Sequence, residues 1–164
     1  MKIDKAIFAA GCFWGVQYYF DQIPGVVKTT VGYTGGHTKN PTYEEVCTHT
    51  TGHAEALLVE FDPDKVSYAT LVKQFFRMHD PTQLDRQGPD VGDNYRSAIF
   101  YYTDAQKKTA TELLQAAQPN FKQPIVTEIV PASPFYNAEE YHQKYAEKTG
   151  RGLCHIPYKP IDEH

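Results

Sequence analysis

Five residues near the start of the chain, Gly11-Cys12-Phe13-Trp14-Gly15, join a thiol to two large aromatic faces between glycines. They follow an apolar run, Ala6-Ile7-Phe8-Ala9-Ala10, that reads as a buried strand. They precede Val16-Gln17-Tyr18-Tyr19-Phe20, which reads as a helix ended by Pro24-Gly25. Cys12 therefore falls where a strand hands over to a helix N-terminus. Unpaired backbone N–H groups and the positive end of the helix dipole favour a thiolate there, and the glycines let backbone or ligand come close. A thiolate with an aromatic wall suits attack on an apolar, sulfur-bearing substrate. The alternative is a buried structural cysteine among core aromatics.

Other groups could complete such a site. The alternation of Ala54 to Phe61 puts Glu55, Leu57, Val59 and Phe61 on one strand face. If that face is buried, desolvation keeps the Glu55 carboxyl protonated near neutrality and makes it a general acid. If the strand end faces solvent, Glu55 is an ordinary carboxylate. Tyr43 follows the glycine-rich run 32–41, and Tyr95 opens a strand after a long loop. Each carries a phenolic donor, or else packs amphipathically. Asp90 and Asp93 could orient donors or cap turns. Cys47, His49, His53 and Glu55 lie close together, but their spacing matches no compact zinc signature, and Cys47 reads as packed. Cys154 sits among Gly150, Gly152 and Pro157. It reads either as a resolving thiol able to reach an active-site sulfur or as an exposed spectator.

The elements that must position these groups are legible in outline. Val26 to Tyr33 is β-branched and reads as a strand, Thr42 to Thr48 as a short helical turn. Ser67 caps a helix carrying Leu71, Val72, Phe75 and Phe76, which Pro81 stops. Asp80 to Asn94 is a long irregular stretch of the kind that often carries function. Arg96 to Tyr102 reads as a strand, Thr103 and Gln106 form a capping box for a helix through Gln118, and Ile125 to Val130 reads as another strand. Asn137 with Glu140 opens a last helix that Gly150 closes, and residues 151–164 read as irregular. The order β-α-β-β-α-β-α-β-α predicts an α+β two-layer sandwich with a mixed sheet.

At 164 residues the chain fits one domain, with a core at about 4–149 and a tail from 150 to 164. A net charge of −4 without local Lys or Arg clusters argues against a nucleic-acid surface. No apolar run reaches the length of a membrane span, and residues 1–5 lack a secretion signal, so a cytoplasmic protein with reduced thiols is expected. Three cysteines do not complete a structural disulfide framework.

Six blocks then resemble, in order and spacing, the peptide methionine sulfoxide reductase A family. They are Gly11-Cys12-Phe13-Trp14-Gly15, Gly32-Tyr33-Thr34-Gly35-Gly36, Asn40-Pro41-Thr42-Tyr43, Gly52-His53-Ala54-Glu55-Ala56, His79-Asp80-Pro81-Thr82 and Asn94-Tyr95-Arg96-Ser97-Ala98-Ile99. The match runs from about residue 6 to the final helix. The resemblance implies a ferredoxin-like sandwich that reduces the S epimer of methionine sulfoxide, in proteins and as the free amino acid. It implies that Cys12 is the nucleophile and that Glu55 protonates the sulfoxide oxygen. Tyr43 and Tyr95 would hydrogen-bond that oxygen, Phe13 and Trp14 would cradle the methyl group, and Asp90 would line the site. Cys154 would be the recycling cysteine, giving a Cys12–Cys154 disulfide. It implies thioredoxin as reductant (dithiothreitol in vitro), no metal or organic cofactor, no nucleic-acid or membrane partner, and a monomer. No cysteine follows Cys154, so a two-step relay through the tail is not expected, and Leu153 stands where a tyrosine is common in the family. Two other classes fit the residues less fully: a cysteine hydrolase acting through Cys12, and a non-catalytic module binding methionine or an apolar peptide.

Overall fold

A computed structural model describes residues 2–88 and 90–144 of the chain. Strand β1 (Asp4–Ala10) leads into helix α1 (Phe13–Asp21), and β2 (Val26–Thr34) follows. A short helix α2 (Tyr43–Cys47) precedes β3 (Ala54–Phe61) and helix α3 (Tyr68–Met78). The small strands β4 (Arg86–Gln87) and β5 (Asp90–Val91) pair with each other, and a 3₁₀ turn at Asp93–Tyr95 comes next. Strand β6 (Ser97–Tyr101), helix α4 (Asp104–Ala117), β7 (Glu128–Pro131) and β8 (Tyr136–Asn137) complete the regular elements, with a last 3₁₀ turn at Glu140–His142.

The main sheet has the order β7-β6-β1-β3-β2-β8. Its four inner strands are antiparallel, with β3 inserted between β1 and β2 and paired to both. β1-α1-β2 is therefore a split β-α-β unit. β7 runs parallel to β6, which makes the sheet mixed. Helices α1, α3 and α4 cover one face, where Phe8, Leu57, Val59, Phe75, Phe20 and Ala110 share one core. The other face is closed by a smaller cluster, in which Val130, Ala132 and Phe135 pack on Ile7, Ala56 and Phe100. Among the described residues, no helix is long and apolar enough to cross a membrane.

The caps act largely as their side chains dictate. Ser67 Oγ accepts the Thr70 N–H at 3.0 Å, and Thr42 with Glu45 forms a capping box at α2. Thr103 accepts the Gln106 N–H, but the Gln106 side chain reaches Tyr102 N–H and Lys5 C=O rather than closing the box.

Further expectations change. Tyr95 opens no strand: it closes the 3₁₀ turn Asp93–Tyr95, and β6 starts only at Ser97. Helix α1 begins at Phe13, three residues earlier than its apolar run suggests. The strand expected from Ile125 starts only at Glu128, because Val126 N–H is taken by Pro81 C=O at 2.8 Å. The stretch 80–94 is knit rather than irregular: Gln87 Nε2 donates to Asp80 C=O, and Asp80 N–H returns to Gln87 Oε1. Asn137 opens no helix; it pairs with Gly32 in β8, and only a 3₁₀ turn follows. The remainder of that expected helix, the tail and Cys154 lie outside the described residues.

Candidate active site

Cys12 is the N-cap residue of α1 and is 9 % exposed. The handover is tight. Gly11 has a φ of +95°, in the left-handed region that favours glycine. The chain thus turns at once from the buried end of β1 into the helix, leaving the thiol at the end where helical N–H groups converge.

Glu55 is one of those groups' partners. It lies on β3 and is 1 % exposed. Its Oε1 accepts the N–H of Phe13, the residue directly after Cys12, at 3.2 Å, and its Oε2 accepts Asn94 Nδ2 at 3.2 Å. Burial pushes its carboxyl up to about 8 from an ordinary 4.5. The Phe13 and Asn94 hydrogen bonds pull the other way, and the nearby Asp90 charge adds to the rise. Of the two readings open from the strand pattern, the buried one holds. At neutral pH this side chain is a carboxylic acid, able to give a proton.

The tyrosines enter from two sides. Tyr43 begins α2, where its ring stacks on Trp14 at 6.2 Å and on Phe13 at 6.3 Å. Tyr95 ends the 3₁₀ turn beside β3. Burial, then the Glu55 charge, raises both phenols well above their ordinary range, so both remain hydroxyl donors. Asp90, half-buried on β5, lies near enough to raise both Glu55 and Tyr95. Phe13 is buried while Trp14 is half-exposed, so the aromatic surface open to a ligand is Trp14, with Phe13 behind it.

The knit segment 80–94 carries Asp90, Asn94 and Tyr95 to this place. Gly92 is required where it lies. Its φ is +143°, and a Cβ there would sit 2.3 Å from His49 Cε1 and 2.6 Å from Asn94 Oδ1. His49, just past the end of α2, lies 3.7 Å from Asp93 of the Tyr95 turn.

One supporting residue, Glu139, has no signal in the sequence, and a second, Asn94, has none for the contact it makes. Glu139 accepts the Tyr33 hydroxyl at 3.0 Å and the Tyr43 N–H at 3.2 Å, anchoring α2. Against the upward push of burial, its own N–H, the Tyr43 N–H and the Tyr33 hydroxyl hold it below the ordinary 4.5. Asn94 belongs to one of the six blocks, but its bond to Glu55 spans 39 positions, beyond the reach of any local pattern. Of the Cys47, His49, His53 and Glu55 group, His53 is engaged elsewhere. His53 Nδ1 accepts Gly36 N–H and its Nε2 donates to Thr38 C=O, and no cluster able to hold a metal exists among the described residues. Cys47 is half-buried, hydrogen-bonded to Tyr43, and pushed upward by burial, as a packed thiol is.

A cysteine at a helix start, a buried acid bonded to the N–H of the next residue, and tyrosines beside an aromatic face make up a candidate active site. The family model of peptide methionine sulfoxide reductase matches residues 4–164. A peptide methionine sulfoxide reductase from Methanosarcina mazei is 60% identical over 150 residues, covering 90% of this chain and 71% of its own. The structure superposes on reduced Mxr1 from Saccharomyces cerevisiae with a TM-score of 0.88, at 35% identity over 99% of this chain and 93% of that one. Mxr1 in complex with Trx2 matches with a TM-score of 0.63, at 31% identity over 88% and 86% of the two chains. The chain belongs to the peptide methionine sulfoxide reductase family, and it is an oxidoreductase that reduces methionine sulfoxide to methionine.

Proposed function

We propose that Cys12 and Glu55 act together on the S epimer of methionine sulfoxide. The Cys12 thiolate attacks at the sulfoxide group while Glu55 delivers its proton to the oxygen. Oxygen and proton end on Cys12 as a sulfenic acid, methionine leaves reduced by two electrons, and Glu55 is left as carboxylate. Phe13 N–H and Asn94 Nδ2 then serve that new charge. Tyr43 and Tyr95 donate to the oxygen as its charge develops, Trp14 backed by Phe13 receives the methyl group, and Asp90 sustains the Glu55 proton. Cys154 attacks the sulfenic acid, water departs, and a Cys12–Cys154 disulfide forms. Thioredoxin reduces it by exchange; the Mxr1 complex with Trx2 supports that choice of partner.

On this reading the chain is one catalytic domain, with a core near 4–149 and a tail carrying the recycling thiol. Both thiols belong to the same chain, so a monomer suffices. The observation that carries the reading is the burial of Glu55 with its carboxyl raised to about 8, hydrogen-bonded beside Cys12. The test supplies the two resolved epimers of methionine sulfoxide with dithiothreitol. One methionine per dithiol consumed, from the S epimer alone, is expected. Turnover of the R epimer, or an ester cleaved without loss of reductant, contradicts it.

A further inference from the structure

The sulfoxide chemistry leaves one buried ring unused. His142, in the 3₁₀ turn Glu140–His142, is 1 % exposed. Its ring centroid lies 4.4 Å from Tyr43, 5.3 Å from Phe13 and 5.6 Å from Trp14, at the centre of the aromatic cluster beside Cys12. Its Nδ1 receives the Trp14 indole N–H at 2.9 Å. An indole nitrogen only donates, so Nδ1 must present a lone pair, and the neutral ring carries its proton on Nε2. Nε2 has no hydrogen-bond partner among the described residues, so among them the tryptophan alone sets the tautomer. Burial favours the neutral ring, with the Glu139 charge opposing.

The platform under His142 is fixed on several sides. Glu139 holds Tyr33 and Tyr43. Gln143 exchanges hydrogen bonds with both backbone groups of Val31, each at 3.0 Å. Lys144 N–H reaches Gln17 Oε1 at 2.6 Å. Trp14, half-exposed, stacks on Tyr43 and on the His142 ring itself, ring-face contacts that set a plane but little direction within it. The directed bond from the edge of the indole to His142 adds that orientation.

We propose that His142 is a positioning residue: by accepting the Trp14 indole N–H it fixes the aromatic face on which the substrate methyl group lies. This rests on the sulfoxide reading for the identity of the ligand. Trp14 is the chain's single tryptophan, so its fluorescence and its indole N–H resonance report on this contact without ambiguity.

The test uses two substitutions. His142→Phe keeps an aromatic ring and removes the acceptor; His142→Asn puts an acceptor oxygen near the Nδ1 position and removes the ring. In a Cys12→Ser background, methionine sulfoxide is titrated against Trp14 fluorescence. His142→Phe is expected to weaken binding about tenfold, the scale of one lost hydrogen bond, and His142→Asn to stay within about threefold. With Cys12 present, His142→Phe raises KM by the same factor and leaves kcat within about threefold. Wild-type protein gives a check independent of folding in the variants: ¹⁵N NMR should find the His142 ring protonated on Nε2 and one downfield indole N–H. Wild-type affinity in His142→Phe, equal losses in both variants, or a ring protonated on Nδ1 overturns the proposal. Failure of the sulfoxide reading shows separately, as absence of methionine from the wild-type enzyme.

Discussion

Replacing Glu55 by Gln should make the protein more stable and much less active, and the size of the first effect follows from the site. In the folded chain the Glu55 carboxyl is raised to about 8, against 4.5 when solvated. A raised carboxyl contributes its stability fully below pH 4.5 and loses it as pH rises through about 8, because the unfolded chain ionises first and the folded one cannot follow. At about 1.4 kcal/mol per pH unit, that loss amounts to about 5 kcal/mol across the window, and to roughly 3 kcal/mol by pH 7. Glutamine has no proton to lose. Its carbonyl can accept Phe13 N–H, and its amide can donate to Asn94 once the Asn94 amide turns over, which exchanges the Nδ2 that now faces Glu55 for Oδ1, a buried oxygen with no hydrogen-bond partner among the described residues. Urea unfolding of both proteins with reductant from pH 4.5 to 8.5 gives the difference curve, in which all shared titrations cancel. Near-equality at pH 4.5, widening to roughly 3 kcal/mol in favour of Glu55→Gln at pH 7, is expected. Sulfoxide reduction in a single turnover should fall by about 10² to 10⁴, the usual worth of a general acid. Two parallel stability curves, separated by a constant amount, would refute the reasoning.

Single-turnover rates in the wild type should fall as pH rises through about 8, and Asn94→Ala should move that limb to higher pH, since the Asn94 bond lowers the Glu55 carboxyl; an unmoved limb separates Asn94 from the acid. Tyr43→Phe and Tyr95→Phe should each slow reduction by about 10², as loss of one donor to a developing oxyanion does, measured as methionine formed in one turnover. Cys154→Ser should yield about one methionine per enzyme and then stop with thioredoxin as reductant; sustained turnover removes Cys154 from recycling.

What the sequence yields here depends on the range of each interaction. Apolar periodicity and N-caps are local, so β1, β2, β3, α3 and α4 are legible from their own residues, as is the position of Cys12 at a strand-to-helix step. Glu55 is different. Alternation along β3 assigns it a face but not a burial, because burial comes from β1 and β2 on either side and from α1 above. Here the ordered family blocks decide what the strand pattern leaves open. Strands β4, β5 and β8 are two residues long each, too short for any period, and are defined by partners elsewhere. Glu139 and His142 sit in a segment whose polar spacing imitates a helix, while their function depends on contacts 96 and 128 positions away.

Proton delivery by Glu55 requires it to be uncharged beside the residue after Cys12 at neutral pH. Infrared difference spectroscopy of the reduced wild type against Glu55→Gln reads that charge directly. A protonated carboxyl C=O band attributable to Glu55 should be present at pH 7 and give way to carboxylate as pH rises through about 8. A Glu55 already ionised at pH 6 would contradict the mechanism at its base.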